Sequence, residues 1–101
     1  EELQKLRARL KTVKVGGNIQ YNPGWHLALD LKNMLDISEA VTRSALERTE
    51  SRGAHTREDY PDSQEKWSKL NLIVRQDGEN IAVHQEPLPE MPSELQELFE
   101  K

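Results

Sequence analysis

The residues whose types could do chemistry are concentrated in one polar segment, residues 48–61, which reads Arg-Thr-Glu-Ser-Arg-Gly-Ala-His-Thr-Arg-Glu-Asp-Tyr-Pro. As a metal site it offers His55, Glu58 and Asp59, but it lacks the second histidine of common zinc sites and no predicted helix fixes the spacing. As a hydrolase site it places Ser51 near His55, without the Gly-x-Ser-x-Gly elbow that exposes a serine nucleophile. Neither metal binding nor nucleophilic catalysis is the favoured interpretation.

The charges of this segment favour a structural role instead. Arginines and carboxylates alternate along it, which predicts salt bridges that pin an irregular stretch to the end of a helical bundle. The expected partners are Arg48, Arg52, Arg57, Glu50, Glu58 and Asp59. Buried or docked against a partner, such a network fixes geometry more than it stabilises the fold.

Composition excludes several classes of protein. The 101 residues include 14 Lys and Arg against 18 Asp and Glu, and the net charge of −4 argues against a nucleic-acid binder, which needs a basic surface. The absence of cysteine excludes disulfides, thiolate metal sites and a cysteine nucleophile, and fits a cytosolic address. No apolar run approaches the ~20 residues of a membrane span. With 35% hydrophobic residues, the chain predicts one small domain with a thin core.

Two helices are predicted in the first half of the chain. The first has an apolar stripe at helical spacing, formed by Leu3, Leu6, Leu10 and Val13. No capping residue precedes Leu3, which predicts that the sequence starts within a longer domain. The second helix is predicted over residues 22–49, because Asn22 can cap it and Pro23 suits its first turn. We expect Gly53 to terminate it.

The second helix is expected to be buried along one side and solvated along the other. Its apolar stripe is predicted to comprise Leu27, Leu31, Met34, Ser38, Val41 and Ala45, widened by Ala28, Leu35 and Leu46. The predicted solvated face comprises Asp30, Lys32, Asn33, Asp36, Glu39, Arg43 and Glu47. On that face, Arg43 is expected to pair with Glu39 and with Glu47, each four residues away.

The second half of the chain carries strand signals. A helical turn capped by Asp62 is expected at residues 63–67, and residues 70–75 and 80–84 flank Asp77-Gly78, a common tight hairpin turn. Residues 86–92, rich in proline, should run extended, and Ser93 should cap a last short helix carrying Leu95, Leu98 and Phe99. The predicted fold is therefore mainly α: an antiparallel helical bundle with a C-terminal β-hairpin and an extended tail. Residues 1–53 supply the bundle portion and residues 54–101 the remainder of one domain.

The motifs of this sequence resemble those of a known family. The run Glu50-Ser51-Arg52-Gly53-Ala54-His55 followed by Asp59-Tyr60-Pro61 is similar to the C-terminal domain of the flavoprotein subunit of succinate dehydrogenase and fumarate reductase. Further similarities, in the family's order, are Tyr21-Asn22-Pro23, Asn33-Met34-Leu35, Asn71-Leu72 and Pro87-Leu88-Pro89. L-aspartate oxidase has a similar Glu-Ser-Arg-Gly-x-His stretch, but the hairpin and the Pro-Leu-Pro tail are more like the succinate and fumarate branch.

The resemblance implies a part of a three-helix bundle taken from an FAD-dependent oxidoreductase of electron transport and the tricarboxylic acid cycle. FAD would belong to the parent protein, since this chain has no Gly-x-Gly-x-x-Gly motif, and the family's catalytic histidines and arginines lie upstream. No catalytic, cofactor-binding or metal-binding residue is therefore assigned. The implied partners are the flavin domain of the same chain and the iron–sulfur subunit. The candidate docking residues are Arg48, Glu50, Ser51, Arg52, His55, Arg57, Asp59 and Tyr60.

The implied location is cytoplasmic, peripheral to the inner face of the cell membrane through the complex, with no direct membrane insertion. Two alternatives stay open: the C-terminal domain of L-aspartate oxidase, and a free-standing helical module that binds a partner helix. Because two amphipathic helices leave apolar surface uncovered, we also expect the isolated chain to form a homo-oligomer.

Overall fold

The computed structural model describes residues 1–99, which form four helices and one β-hairpin. The helices are α1 (Glu2–Leu10), α2 (Pro23–Glu47), α3 (Glu65–Ser68) and α4 (Ser93–Gln96). The strands are β1 (Leu70–Asp77) and β2 (Asn80–Pro87). Only α1 and α2 exceed one helical turn within this range, and α2 is the element against which α1 and the hairpin pack.

Helix α2 begins where the sequence predicts. The Asn22 side chain accepts a hydrogen bond from the Gly24 N–H at 3.0 Å, and Pro23 occupies the first helical position. The helix ends at Glu47, two residues before the predicted end, because Arg48 adopts an extended backbone. Gly53 does not terminate it. Its φ of 58° instead serves the tight turn that follows Arg52.

The buried face of α2 differs from the predicted stripe. Leu27, Met34 and Val41 are 67%, 62% and 62% exposed and Ser38 is exposed as well, so that prediction is wrong for four of the six stripe positions. The two buried residues of α2 are Leu35, 6% exposed as its place in the widened stripe predicts, and Glu39, 7% exposed although it was predicted to be solvated. A carboxylate is tolerated on this buried face because two arginines pair with it.

Two arginines compensate the buried Glu39. Arg7 of α1 donates from Nε to Glu39 at 3.0 Å, and its Nη1 pairs with Asp36. Arg43, the predicted i,i+4 partner, lies 2.9 Å from the same carboxylate, whereas Glu47 forms no ion pair with any residue of 1–99. Burial opposes ionisation, but the hydrogen bonds from Arg43 and Arg7 outweigh it and lower the pKa of Glu39. This ion-pair cluster joins α1 to α2.

The hairpin confirms the predicted turn and is longer than predicted. The strands pair from Leu70 opposite Pro87 to Asp77 opposite Asn80, leaving a two-residue loop in which Gly78 has a φ of 60°. Gln85 of β2 donates to Glu47 of α2 at 3.0 Å, which holds the sheet on the helix.

The short helices flank this hairpin. Helix α3 starts at Glu65 rather than at the predicted Ser63, and no side chain caps it. Residues 86 and 87, predicted to belong to the extended tail, form the end of β2, and the Leu88 N–H donates to the Lys69 carbonyl at 2.9 Å. Helix α4 includes Ser93 as its first residue, so the predicted Ser93 cap is wrong.

The prediction of a mainly α helical bundle is wrong. Helices account for 42% of the chain, the strands together with the isolated Arg52–His55 bridge account for 18%, and the sheet is a two-stranded antiparallel hairpin. Within residues 1–99 only one pair of helices packs together, α1 on α2, and α1 has nine residues. The periodicity of the first half misled the prediction because Val13 lies beyond the end of α1. The fold is a long helix carrying a short helix and a hairpin.

The division into residues 1–53 and 54–101 stays a prediction, and residues 100–101 lie outside the described range.

The chain measures 64 × 33 × 27 Å, with a radius of gyration of 19.8 Å against about 13 Å for a compact domain of this length. Its accessible surface is 8679 Å², whereas a folded monomer of 11.7 kDa typically exposes roughly 5,900 Å². Much apolar surface is therefore uncovered. None of the helices of residues 1–99 has the length and apolar character needed to cross a bilayer.

Candidate functional site

The polar segment 48–61 leaves the C-terminal end of α2 and folds back on itself. Arg52 and His55 exchange two backbone hydrogen bonds, of 2.8 and 3.0 Å, across a turn that contains Gly53. Nε2 of the His55 ring lies 3.2 Å from the Arg48 carbonyl oxygen. Because a carbonyl oxygen can only accept, Nε2 donates this hydrogen bond. The turn and the His55 hydrogen bond thus hold residues 52–55 close to the C-terminal end of α2.

Glu50 lies at the centre of this segment and has no exposed surface. Arg52 binds its carboxylate with two donors, Nε at 2.9 Å and Nη2 at 3.1 Å. The Arg48 Nη1 donates to the same oxygen as the Arg52 Nε, and the Gln64 N–H donates to the other oxygen at 2.8 Å. The Arg52 hydrogen bonds, helped by those from Gln64 and Arg48 and opposed by burial, lower the pKa of Glu50 from 4.5 to about 2. The carboxylate is therefore ionised and fully paired.

The Trp67 side chain of α3 packs against the Arg48 guanidinium of these ion pairs. It is 3% exposed, and the Arg48 guanidinium lies 5.2 Å from its ring centroid, in a cation–π contact. Its indole N–H donates to the Thr49 hydroxyl at 3.2 Å. Trp67 therefore ties α3 to the segment that follows α2, a role that the sequence did not predict.

Arg57 closes the C-terminal end of α2. Its Nη1 lies within hydrogen-bonding distance of three carbonyl oxygens, those of Leu46 at 2.8 Å, Arg48 at 3.2 Å and Ala45 at 3.3 Å. Such carbonyls have no partner within the helix, and a cation there also complements the helix dipole.

The Arg57 side chain is itself held in place. Asp59 accepts two hydrogen bonds from it, at 2.9 and 2.6 Å, and the Tyr60 ring centroid lies 4.8 Å from its guanidinium carbon. The hydrogen bonding with Arg57 lowers the pKa of Asp59. Arg57 thus links the helix end to residues 59–60.

Ser51 is a structural residue in this arrangement. Its hydroxyl donates to the Tyr60 carbonyl at 2.7 Å and accepts from the Arg57 N–H at 2.8 Å, while its own N–H donates to the Asp62 carbonyl. The His55 ring makes its hydrogen bond to the Arg48 carbonyl and none to Ser51. The geometry of a serine nucleophile activated by histidine is therefore not formed.

The structure brings all eight candidate docking residues into one network of contacts. Arg52 and Asp59 are 42% and 60% exposed at their side chains, and Tyr60 is 39% exposed, so these three present its outer surface. Glu58 is exposed and forms no ion pair with any described residue, contrary to its predicted salt bridge. Within residues 1–99 no three His, Cys, Asp or Glu side chains are grouped closely enough to hold a metal ion.

We expect Arg57→Leu to lower the Tm of the chain by about 5 °C, because it removes the donor at the end of α2 and leaves Asp59 unpaired. Arg75→Leu is the matched control, since Arg75 is an exposed arginine of β1 with a weak 3.4 Å pair to Glu86. Thermal unfolding followed by circular dichroism measures both. Equal effects of the two substitutions would contradict the capping role.

Comparison with known proteins identifies the family. The family described as "Fumarate reductase flavoprotein C-term" matches residues 1–97. The chain belongs to this family. The resemblance seen in the motifs around Glu50 and Tyr60 is thereby confirmed.

Named relatives agree with this family. The fumarate reductase flavoprotein subunit of Helicobacter pylori is 48% identical over 74 residues, 71% of this chain and 10% of that protein. The succinate dehydrogenase flavoprotein subunit of Coxiella burnetii is 40% identical over 77 residues, 74% of this chain and 13% of that protein. An uncharacterized FAD-dependent oxidoreductase of Methanocaldococcus jannaschii is 40% identical over 75 residues, also 74% and 13%.

The chain thus spans only about a tenth to an eighth of the length of these relatives. No solved structure matches it. What the comparisons establish is membership of a flavoprotein C-terminal family, together with the names of relatives that are subunits of fumarate reductase and succinate dehydrogenase.

Proposed function

We propose that this chain is the C-terminal structural domain of an FAD-dependent succinate or fumarate oxidoreductase flavoprotein. The observation that carries the proposal is the family match over residues 1–97, combined with relatives named as flavoprotein subunits. The proposed role of the domain is to support the flavin domain of the same polypeptide and to contribute contacts to an iron–sulfur subunit. In such a complex it would be cytoplasmic and peripheral to the inner face of the cell membrane.

The chemistry of the described residues supports a non-catalytic role for this part of the protein. The carboxylates Glu50 and Asp59 are ionised and paired, and the Ser51 hydroxyl is committed to backbone groups. FAD does not fit what these residues offer. The Asn22 side chain caps the N-terminal end of α2, and the loop before it holds the pair Gly16-Gly17 but not the Gly-x-Gly-x-x-Gly motif with which dinucleotide-binding folds cradle a diphosphate. Flavin binding and catalysis are therefore assigned to the rest of the parent protein.

The polar segment 48–61 suits docking because its geometry is fixed before a partner arrives. Arg52 is held by Glu50 and by the Gln64 carbonyl at 3.0 Å, yet 42% of its side chain is exposed. A pre-organised guanidinium of this kind recognises a carboxylate or carbonyl with little loss of side-chain freedom. The chain exposes roughly 2,800 Å² more surface than a compact monomer of its mass. A standard protein–protein interface buries only about 800 Å² on each partner, so the excess surface is large enough for docking.

We predict that Arg52→Ala in the full flavoprotein weakens its assembly with the iron–sulfur subunit about tenfold or more, because an exposed, pre-organised cation is lost from the interface. Reduction of the flavin by succinate, followed with an artificial electron acceptor, should change much less. Assembly is measured by size-exclusion chromatography and by the affinity of the two subunits.

Arg43→Ala is the control for structural damage. Arg43 is also partly exposed, 43%, and also pairs with a buried glutamate, but it lies on α2 outside segment 48–61. It should leave assembly unchanged. Normal assembly of the Arg52→Ala protein with collapsed flavin reduction would show that Arg52 acts on the chemistry and not on docking.

A further inference from the structure

An open groove of about 530 Å³ lies between α2 and β1 and is not filled by the network of segment 48–61. Its wall on the helix side is made by Val41 and the small residues Ala40, Ser44 and Ala45, and its wall on the sheet side by Asn71, Leu72 and Val74. We propose that this groove binds an extended segment of a partner polypeptide, which adds to the free edge of β1 as a third strand and places a carboxylate beside Arg48. This inference goes beyond the proposed function and does not depend on it.

The free edge of β1 determines what can bind. Within residues 1–99, β2 is the only strand paired with β1, and no hydrogen bond from another segment reaches a backbone group of residues 70–77. A two-residue loop places its flanking residues, Asp77 and Asn80, in a hydrogen-bonded pair. By alternation, Leu72, Val74 and Gln76 direct their N–H and C=O groups away from β2. An extended main chain is the group that satisfies such an edge.

The α2 side of the groove has room for a third strand. Ala40, Ser44 and Ala45 are half-buried, and their short side chains leave space between the helix and β1. Larger side chains at these three positions would fill that space. Leu72 and Val74 give the groove apolar surface, so alternate residues of the added strand that face α2 should be apolar.

The charge at one end of the groove specifies the partner further. Arg48 and His55 line that end, and no carboxylate lines the groove. Arg48 and Arg52 share the single carboxylate of Glu50, so the cluster as a whole is cationic. Arg48 uses Nη1 for Glu50 and for the Trp67 carbonyl, while its Nε and Nη2 donate to no described residue. These donors complement an acidic side chain or a chain-terminal carboxylate.

The test uses defined peptides as probes. The first is acetyl-Thr-Val-Thr-Val-Thr-Asp-amide, the second replaces its Asp by Asn, and a further pair carries the Asp or Asn at the other end, because the strand direction is not specified. Titration of the isotope-labelled chain, followed by NMR, should shift and protect the amides of Leu72, Val74 and Gln76. In the orientation that binds, the Asp peptide should bind about three- to tenfold more tightly than its Asn partner.

Ser44→Arg fills the groove from the helix and should weaken peptide binding at least tenfold. Thr42→Arg is the matched control: Thr42 is exposed on α2, does not line the groove, and its substitution should leave the affinity unchanged. The proposal is overturned if no peptide binds to a chain whose spectrum is that of the folded protein, or if shifts concentrate elsewhere. It is also overturned if light scattering shows a dimer that Ser44→Arg dissociates, since the occupant would then be a second copy.

Discussion

Glu50→Gln should lower the Tm of the chain by about 10 °C or more, which is among the largest effects of any single substitution here. The substitution keeps the size of the side chain and removes the charge. One carboxylate oxygen becomes an NH2 group, although Arg48, Arg52 and the Gln64 N–H all point donors at this side chain. The variant therefore leaves two guanidinium groups without a counter-charge and at least one donor without an acceptor.

The same residue makes stability depend on acid. The pKa of Glu50 is about 2 in the folded chain against an ordinary value of 4.5, so the folded state binds the proton less readily than the unfolded state. The contribution of Glu50 to stability is complete above pH 4.5, decreases as the pH falls from 4.5 to 2, and is absent below pH 2. The pKa values of Glu39, Asp36 and Asp59 are lowered too, and act in the same direction.

Melting curves between pH 2 and pH 7 measure both effects. The Tm of the unmodified chain should fall steadily below pH 4.5, and that of Glu50→Gln should fall less, because one of the linked groups is gone. Glu58→Gln is the matched control, an exposed carboxylate of the same segment without an ion pair, and should shift the Tm by no more than about 2 °C. Equal pH slopes for Glu50→Gln and the unmodified chain would contradict the assignment of Glu50.

Local signals predicted the main elements of this fold. Asn22 followed by Pro23 marks the start of α2, and Asp77-Gly78 marks the hairpin, since capping and turn chemistry depend only on neighbouring residues. The polar segment 48–61 was also identified as a salt-bridge network, and its arginines do pair with carboxylates within the segment. The docking role of those residues stays a prediction.

Interactions between distant residues were not predictable in the same way. Glu39 reads as part of a solvated face until Arg7, 32 residues earlier, is seen to bind it. The pairing of α1 with α2 thus rotates the buried face away from Leu27, Met34 and Val41. The spacing of apolar residues predicts which face of a helix is buried. It contains no information about a distant arginine that makes the burial of a carboxylate favourable.

Trp67→Ala is expected to destabilise the chain by about 3–5 kcal/mol, a large part of the total stability of a domain this small. The reason is that Trp67 and Leu35 are the buried apolar side chains of residues 1–99, so no larger core can compensate for the loss. The substitution also removes the surface on which the Arg48 guanidinium lies, and the donor to Thr49. Urea unfolding followed by circular dichroism measures the change.

Two further substitutions test the role of Trp67: one keeps an aromatic ring at this position, and the other is a control at the second tryptophan. Trp67→Phe keeps an aromatic face under Arg48 but loses the hydrogen bond to Thr49 and part of the buried ring volume, so its cost should be about 1–3 kcal/mol. Trp25→Ala removes the other tryptophan, which is 37% exposed near the start of α2, and should cost less than half as much as Trp67→Ala. If both alanine variants lowered the free energy of unfolding equally, burial of Trp67 would not be what stabilises segment 48–61. The ion pairs of Glu50 would then be the interactions that hold this segment in place.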